Sequence, residues 1–397
     1  MRVLIATVGT WGDVQPLLAL AAALRGRGHD VSFCAPPNFE VVALERGLRF
    51  RGIGADFRAV LGRREAGEWL PLASWRTDVR CQFDALRDLS GQADVIVGAS
   101  AHCAGLSFAE LRGIPYCYVT LSPSLIPSRE HPAPLCAWQR LPARINEASW
   151  WFHLQTWNWL FRGLINKERS RMGLAPIRDV WAHLLSRLVI LASEPALARP
   201  PADACPHVVQ TGAWFPCDEG ELGPDLAAFL EAGPPPVYIG FGSMVDSHPE
   251  RTTRILLDAV HEARVRALIS EGWAHLGAGG LPPEVRLIGY VPFSKLLPRL
   301  LAVVHHGGAG TVACAARAGV PQVLVPHFGD QYFWADRMSR LGLSAATIPR
   351  PHLSVPALVR ALRACATGDL LRDRARALSL DFKVDGLDAA AKVIEAL

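Results

Sequence analysis

Residues 305–311 read HHGGAGT and follow the apolar run LLAVV. Two imidazoles at a strand end, then a stretch almost without side chains, suit an anionic group that must approach the backbone closely. Glycine permits that approach. A helix starting near Thr311 would offer unpaired N–H groups and a partial positive charge. His306 and Thr311 can add side-chain donors. The competing reading is a tight strand-to-helix turn that needs only glycine. The histidine pair favours the anion cradle, because a His-His at the edge of a core has no obvious packing use.

Four more short stretches carry residues of this kind. In FGSM (241–244), also at a strand end, Ser243 can donate to the same anion. In FGDQ (328–331), Asp330 and Gln331 place a carboxylate beside a carboxamide, a pair suited to sugar hydroxyls. A solvated helix N-cap is the plainer account of that Asp. In EGWAHL (271–276), Trp273 offers a flat face for a nucleobase, or is one more core tryptophan among twelve. In GTWGDVQP (9–16), Asp13 is either an N-cap or a general base projecting into a cleft.

The elements around these stretches alternate strand and helix. RVLIATV (2–8) is a continuous apolar run, as expected of a strand buried on both faces. PLLALAAALRGRG (16–28) is helical, with Pro16 early and glycines near its end. DVSFCAP (30–36) completes a βαβ unit, and the pattern recurs at 93–122. Residues 123–148 carry several prolines, then SWWFHLQTWNWLFRGLINKERSRMG (149–173) crowds four tryptophans together. After a Pro- and Gly-rich linker a second alternating series starts at PVYIGFGS (236–243). The expected fold class is α/β, with two Rossmann-like doubly wound domains facing across a cleft. In such sheets ligands sit at the carboxyl ends of strands, where every unusual residue above falls.

Composition narrows the class further. A length of 397 residues suits two domains. The net charge of +4 is small, and no run of basic residues marks a nucleic-acid surface. Nine cysteines form no CxxC pair, which fits buried apolar thiols in a reducing cytoplasm. The start MRVLIATVGTWGD is not a signal peptide, and no apolar stretch of about 18 residues spans a membrane. No D-x-D occurs, so no metal site and no cofactor are expected.

Together the motifs resemble the family 1 glycosyltransferases with the GT-B fold. The strongest stretch is AVVHHGGAGTVACAARAGVPQVLVPHFGDQYFWADRMSRLG (302–342), similar to the donor-binding motif of bacterial antibiotic glycosyltransferases and sterol glucosyltransferases. The opening VGTWGDVQPLLALAAALRGRGHDVSFCAPP resembles the acceptor-domain start of the same enzymes. One departure is Trp11, where related enzymes commonly carry Arg.

The resemblance implies roles and boundaries. Residues 1–210 would bind the acceptor, 211–235 link, 236–375 bind a nucleotide sugar, and 376–397 form a helix packing back on the first domain. His306, Gly307, Gly308, Gly310 and Thr311 would hold a donor diphosphate, with Ser243 and Thr10 nearby. Trp273 would stack on a uracil or thymine base and the Val291 backbone would read its edge. Asp330 and Gln331 would hold sugar hydroxyls, and Asp13 would be the catalytic base.

The expected function is inverting, metal-independent transfer from a UDP- or TDP-sugar to a hydroxyl of a hydrophobic small molecule, first of all a secondary-metabolite aglycone. A sterol or lipid acceptor is the alternative, as is a non-catalytic nucleotide-sugar-binding protein. A sugar-nucleotide epimerase ranks lower. The tryptophan-rich stretch 149–161 lines an acceptor cavity, packs as an ordinary helix pair, or lies on a membrane surface. The chain is expected to be a monomer or homodimer in the cytoplasm, with no nucleic-acid partner.

Overall fold

The computed structural model describes residues 1–56, 72–205, 207–215, 220–382 and 385–397. The first sheet holds seven strands: β1 (Arg2–Val8), β2 (Asp30–Ala35), β3 (Arg49–Gly52), β4 (Val95–Ser100), β5 (Tyr116–Thr120), β6 (Leu188–Leu191) and β7 (Val208–Gln210). The second holds six: β8 (Val237–Gly240), β9 (Ala267–Ser270), β10 (Val285–Ile288), β11 (Ala302–His305), β12 (Gln322–Leu324) and β13 (Ser344–Thr347). Their orders are β3-β2-β1-β4-β5-β6-β7 and β10-β9-β8-β11-β12-β13. Every strand pairing among the described residues is parallel, from β1 on β2 and β4 to β11 on β8 and β12.

These orders explain the apolar runs. Helices cover both faces of a parallel sheet, so its central strands need apolar side chains on both sides. β1 is buried from Val3 to Val8, and β4 and β5 are buried along nearly all their length. In each sheet the strand order reverses once, between β1 and β4 and between β8 and β11. Those two points are where an open α/β sheet leaves a crevice for a ligand.

The helix after β1 differs from the expectation. It runs from Trp11 to Gly26, so Asp13 lies inside its first turn and Pro16 inside its body. Pro16 cannot donate to the Gly12 carbonyl. The buried side chains Val14, Leu17, Leu18, Leu20 and Leu24 hold the helix on the sheet regardless.

Residues far along the chain complete that core. Ala390, Ala391 and Ile394 of the helix Gly386–Glu395 pack with Val14, Leu17 and Leu18. Arg27 pairs with Glu395 at 2.6 Å and Asp388 at 2.8 Å, and His29 meets Glu395 at 2.7 Å. The preceding helix Asp369–Ser379 instead places Ala375 beside Val312 and Trp334 of the second domain.

The two domains face each other with the carboxyl ends of their strands. Trp11 meets Tyr290 edge-on at 6.3 Å, and Phe39 at 5.9 Å on its own side. His131 meets Phe333 at 5.6 Å, and Arg140 pairs with Asp336 at 2.7 Å. Trp11 therefore reaches across the cleft with an aromatic ring.

The tryptophan-rich segment divides by face. It forms the helix Ala143–Trp157, a π-turn over Asn158–Arg162 and the helix Gly163–Arg171. Trp150, His153 and Trp157 pack around Trp181, with His153 and Trp157 at 5.3 and 5.1 Å from it. Trp150 Nε1 donates to the His131 carbonyl at 3.1 Å. On the opposite face Trp151, Phe152 and Trp159 stand 65%, 68% and 74% exposed. No helix of the described residues is long and apolar enough to cross a membrane.

Candidate active site

The sequence HHGG becomes two histidines with separate tasks. His305 ends β11 fully buried. Its Nδ1 accepts from the Gly307 N–H at 3.2 Å and its Nε2 lies 2.8 Å from Gln322 Oε1. An accepting Nδ1 puts the ring proton on Nε2, which then donates to the Gln322 oxygen. Burial pulls its pKa down to about 4, so the ring is neutral and serves the turn. The expectation that such a pair has no packing use is thus corrected for His305.

His306 is the histidine that faces the site. It is wedged between two glycines: a Cβ on Gly242 would lie 3.1 Å from its Cε1, and one on Gly308 would lie 2.5 Å from its Nε2. Its Nδ1 is buried and without a partner among the described residues. Burial first, then His305 and His327, pulls its pKa down to about 3.

The glycines after it have distinct reasons. Gly307 has φ +95°, and a Cβ there would lie 3.1 Å from the Gln331 carbonyl oxygen. Gly308 is the N-cap of the helix Ala309–Arg317 and has no side chain to cap it. The first N–H groups of that helix, at Ala309, Gly310 and Thr311, have no intrahelical acceptor. Gly310 is exposed, with open space where a Cβ would stand. The result is a bare helix N-terminus beside an imidazole.

Neighbouring strand ends close around it. The turn after β8 puts Gly242 in the left-handed region at φ +59° and buries Ser243. The Trp273 N–H donates to the Gly242 carbonyl at 2.9 Å, which ties the end of β9 to the end of β8. Gly272 permits this, since a Cβ there would lie 2.6 Å from that carbonyl oxygen. The Trp273 ring is half-buried and stacks on no other aromatic ring among the described residues. Val291 is half-buried beyond the end of β10.

Asp330 occupies the N-cap position of the helix Gln331–Leu341, but its carboxylate makes no capping bond. Burial, and then the Asp13 carboxylate across the cleft, pushes its pKa up to about 7. Gln331 is already engaged. Its Oε1 accepts from the N–H groups of His327 at 2.7 Å and Phe328 at 3.2 Å, and its Nε2 points to Met244 Sδ at 3.3 Å.

Asp13 is the third residue of its helix and forms a capping box with Thr10. Its Oδ2 accepts from the Thr10 N–H at 2.8 Å and from the Thr10 hydroxyl at 3.3 Å. Thr10, expected beside a diphosphate, thus gives both donors to Asp13. Ser100, at the end of β4, donates its hydroxyl to Asp13 Oδ1 at 2.8 Å. Burial raises the Asp13 pKa, and the bonds from Thr10 and Ser100 oppose that rise. The carboxylate faces the second domain from one switch point, and the bare helix N-terminus opens at the other.

Comparisons with known proteins agree over the whole chain. Residues 3–127 match the glycosyltransferase family 28 N-terminal domain. Residues 255–383 match the erythromycin biosynthesis protein CIII-like C-terminal domain. The chain is 37% identical over 400 residues to the vancomycin aglycone glucosyltransferase of Amycolatopsis orientalis, covering 99% of this chain and 97% of that one. The chain belongs to this glycosyltransferase family. The glycosyltransferase is also 33% identical to the sterol 3-beta-glucosyltransferase UGT80B1 of Arabidopsis thaliana, over 91% of its own length and 62% of the relative's. Among solved structures, the glycosyltransferase VinC in complex with DTDP covers 100% of this chain and 99% of its own, with a TM-score of 0.70 at 20% identity. That likeness gives the GT-B fold.

Ser100, bonded to Asp13, is a residue of this candidate site that the sequence did not reveal. β4 pairs with β1 at the switch point, with Ser100 opposite Val8. No local pattern links it to Asp13, which lies 87 residues earlier.

Proposed function

We propose that this glycosyltransferase moves a sugar from a UDP- or TDP-sugar to a hydroxyl of a hydrophobic small molecule, with inversion at the anomeric carbon. The observation that supports this best is the opposition of Asp13 to the bare helix N-terminus at the two switch points. One carboxylate is placed to receive a proton. One positive helix end is placed to receive a departing anion. Relatives named vancomycin aglycone glucosyltransferase and dTDP-epi-vancosaminyltransferase, 37% and 34% identical, favour a secondary-metabolite aglycone as the acceptor.

In the proposed step the acceptor oxygen forms a bond to the anomeric carbon as the bond from that carbon to the diphosphate oxygen breaks. The bonding pair leaves with the nucleoside diphosphate. The acceptor's proton passes to Asp13. A carboxylate with an ordinary pKa near 3.9 cannot deprotonate an alcohol outright. It takes the proton late, as positive charge grows on the attacking oxygen, and burial strengthens it as a base. Such catalysis is worth roughly 10²–10⁴ in rate. The N–H groups of Ala309, Gly310 and Thr311, with His306 and Ser243, would hold the diphosphate and stabilise its growing charge. Next to that dianion the neutral His306 would be drawn towards its protonated form, because an opposite charge favours the imidazolium. Trp273 would stack on the base, the Val291 backbone would meet its edge, and Asp330 would bond sugar hydroxyls. Gln331 would hold the loop that positions Asp330, and could reach the sugar through its amide nitrogen. No metal takes part in this scheme.

The test is a mass-spectrometric screen of UDP- and TDP-sugars against macrolides, glycopeptide aglycones, polyphenols and sterols, run with the native protein and with Asp13→Asn. A sugar-sized mass gain on an acceptor, lost in the variant while nucleotide binding persists, supports the reading. Equal transfer by the variant removes Asp13 from the role. Nucleotide binding with neither transfer nor release of nucleoside diphosphate favours a non-catalytic binding protein.

A second reading, a lipid or sterol acceptor met at a membrane surface, is favoured by one observation. Trp151, Phe152 and Trp159 form an exposed aromatic face on one helical rod. Six basic and two acidic residues lie between Trp138 and Arg171, a surplus equal to the net +4 of the whole chain. Aromatic side chains flanked by Arg and Lys are the make-up of an interfacial helix.

A further inference from the structure

Ser100 carries a backbone strain that its position does not require. It sits at φ +54°, in the left-handed region, at the last residue of β4. Glycine adopts that conformation freely, and serine does so at a cost. Strained non-glycine residues of this kind collect at functional sites, where the side chain repays the strain. Two bonds show what holds it. Tyr118 donates its hydroxyl to the Ser100 carbonyl at 2.6 Å and fixes the peptide from β5. The conformation then sends the Ser100 hydroxyl to Asp13 Oδ1 at 2.8 Å.

The two Asp13 oxygens are thereby made unequal. Oδ2 already accepts two donors, both from Thr10. Oδ1 accepts one, from Ser100, and keeps a lone pair. We propose that Ser100 is a positioning residue for glycosyl transfer: its strained backbone and its hydroxyl fix the Asp13 carboxylate so that Oδ1 is the oxygen that takes the acceptor's proton. This rests on the reading of Asp13 as the base. The same bond has an electrostatic effect, since a donor to the charged form favours ionisation and opposes the rise caused by burial. The other titratable groups acting in this neighbourhood are Asp330 from the second domain and Tyr118 from β5, both raised by the Asp13 charge after burial.

The experiment compares Ser100→Gly, Ser100→Ala and Asp13→Asn in the full chain. Its readout needs no known acceptor: the slow release of nucleoside diphosphate from UDP-glucose or TDP-glucose to water, followed against pH. Thermal melting and calorimetric UDP and TDP affinity are measured alongside. Both Ser100 variants lose the hydroxyl, but only glycine relaxes the backbone. The expected result is a similar loss in both, about tenfold or more in kcat, with the acidic limb moved up by about one pH unit, the worth of one hydrogen bond to a charged group. Nucleotide affinity stays unchanged. A Ser100→Gly protein with native rate and native acidic limb overturns the proposal. So does a rate loss confined to Ser100→Ala that tracks its melting temperature, because the role is then only structural. If Asp13→Asn itself keeps native release, the base assignment fails, and Ser100 falls with it. An Asp13→Asn protein that loses release, beside a native Ser100→Gly, overturns the Ser100 role alone.

Discussion

Burial and the Asp13 carboxylate across the cleft hold Asp330 at a pKa of about 7. The two residues belong to different domains, so the charge of one depends on how closely the other approaches. Near neutral pH the Asp330 carboxyl exists in both forms. It can donate a hydrogen bond as an acid and only accepts as a carboxylate.

That pairing predicts a pH dependence of stability. The folded pKa of Asp330 lies above its unfolded value near 3.9. The native state then binds more protons between those values, so stability falls as pH rises through that window and levels off above about 7. Melting temperatures at about pH 5 and about pH 8 should differ more for the native protein than for Asp330→Asn. The difference between the two proteins corresponds to ~1–2 kcal/mol after allowance for partial solvent access. An Asp330→Asn protein with the native pH profile would contradict the coupling.

Trp273 is expected to contribute stacking energy to the nucleotide. Trp273→Ala should weaken UDP or TDP binding about tenfold, the lower range for a base on an aromatic ring. Calorimetric titration measures this directly. An unchanged affinity would place the base elsewhere.

The glycines of the turn should not tolerate a methyl group equally. Gly308→Ala would drive a Cβ within 2.5 Å of His306 Nε2. It should displace the imidazole and reduce nucleotide affinity severalfold or more with little loss of stability. Gly307→Ala forces alanine into φ +95° beside the Gln331 carbonyl, and should destabilise the fold by ~1–2 kcal/mol. Gly310→Ala enters open space within a helix and should be neutral or slightly stabilising. Thermal melts and nucleotide titrations of the three variants check the order.

The lipid-acceptor reading makes a prediction of its own. The native protein should co-sediment with vesicles of phosphatidylcholine and phosphatidylglycerol, and less with phosphatidylcholine alone. Replacing Trp151, Phe152 and Trp159 together by Gln should reduce binding by about tenfold or more. These side chains are exposed, so the fold should persist. Equal sedimentation of the native and substituted proteins would leave the aglycone reading alone.

Much of the site was legible because its parts are local. A strand, a glycine turn and a helix start lie within a dozen residues, and the resemblance to known glycosyltransferases runs along the same stretches. The first helix starts earlier than its proline suggests, since proline usually marks a first turn. Here the Thr10–Asp13 capping box starts the helix at Trp11, and Pro16 is carried inside it. β3, β7 and β13 carry no clear strand signal because they are short outer strands, RFRG, VVQ and SAAT, without a sustained apolar run. The task of His305 was hidden for a different reason. Its partner Gln322 lies on the next strand of the sheet, and only the pairing of β11 with β12 brings the two together. Ser100 is the same case at larger separation.

The helix Gly386–Glu395 makes the first domain a discontinuous unit. Its core is finished by Ala390, Ala391 and Ile394, which follow the whole second domain in the chain. During synthesis the outer side of the helix Trp11–Gly26 must wait, unsealed, until residue 395 has emerged. A protein cut at the linker would therefore not release an intact first domain. Chimeras that exchange acceptor specificity between relatives should transplant this distal piece with the N-terminal half, so that Arg27 and His29 meet the Glu395 and Asp388 they were packed with.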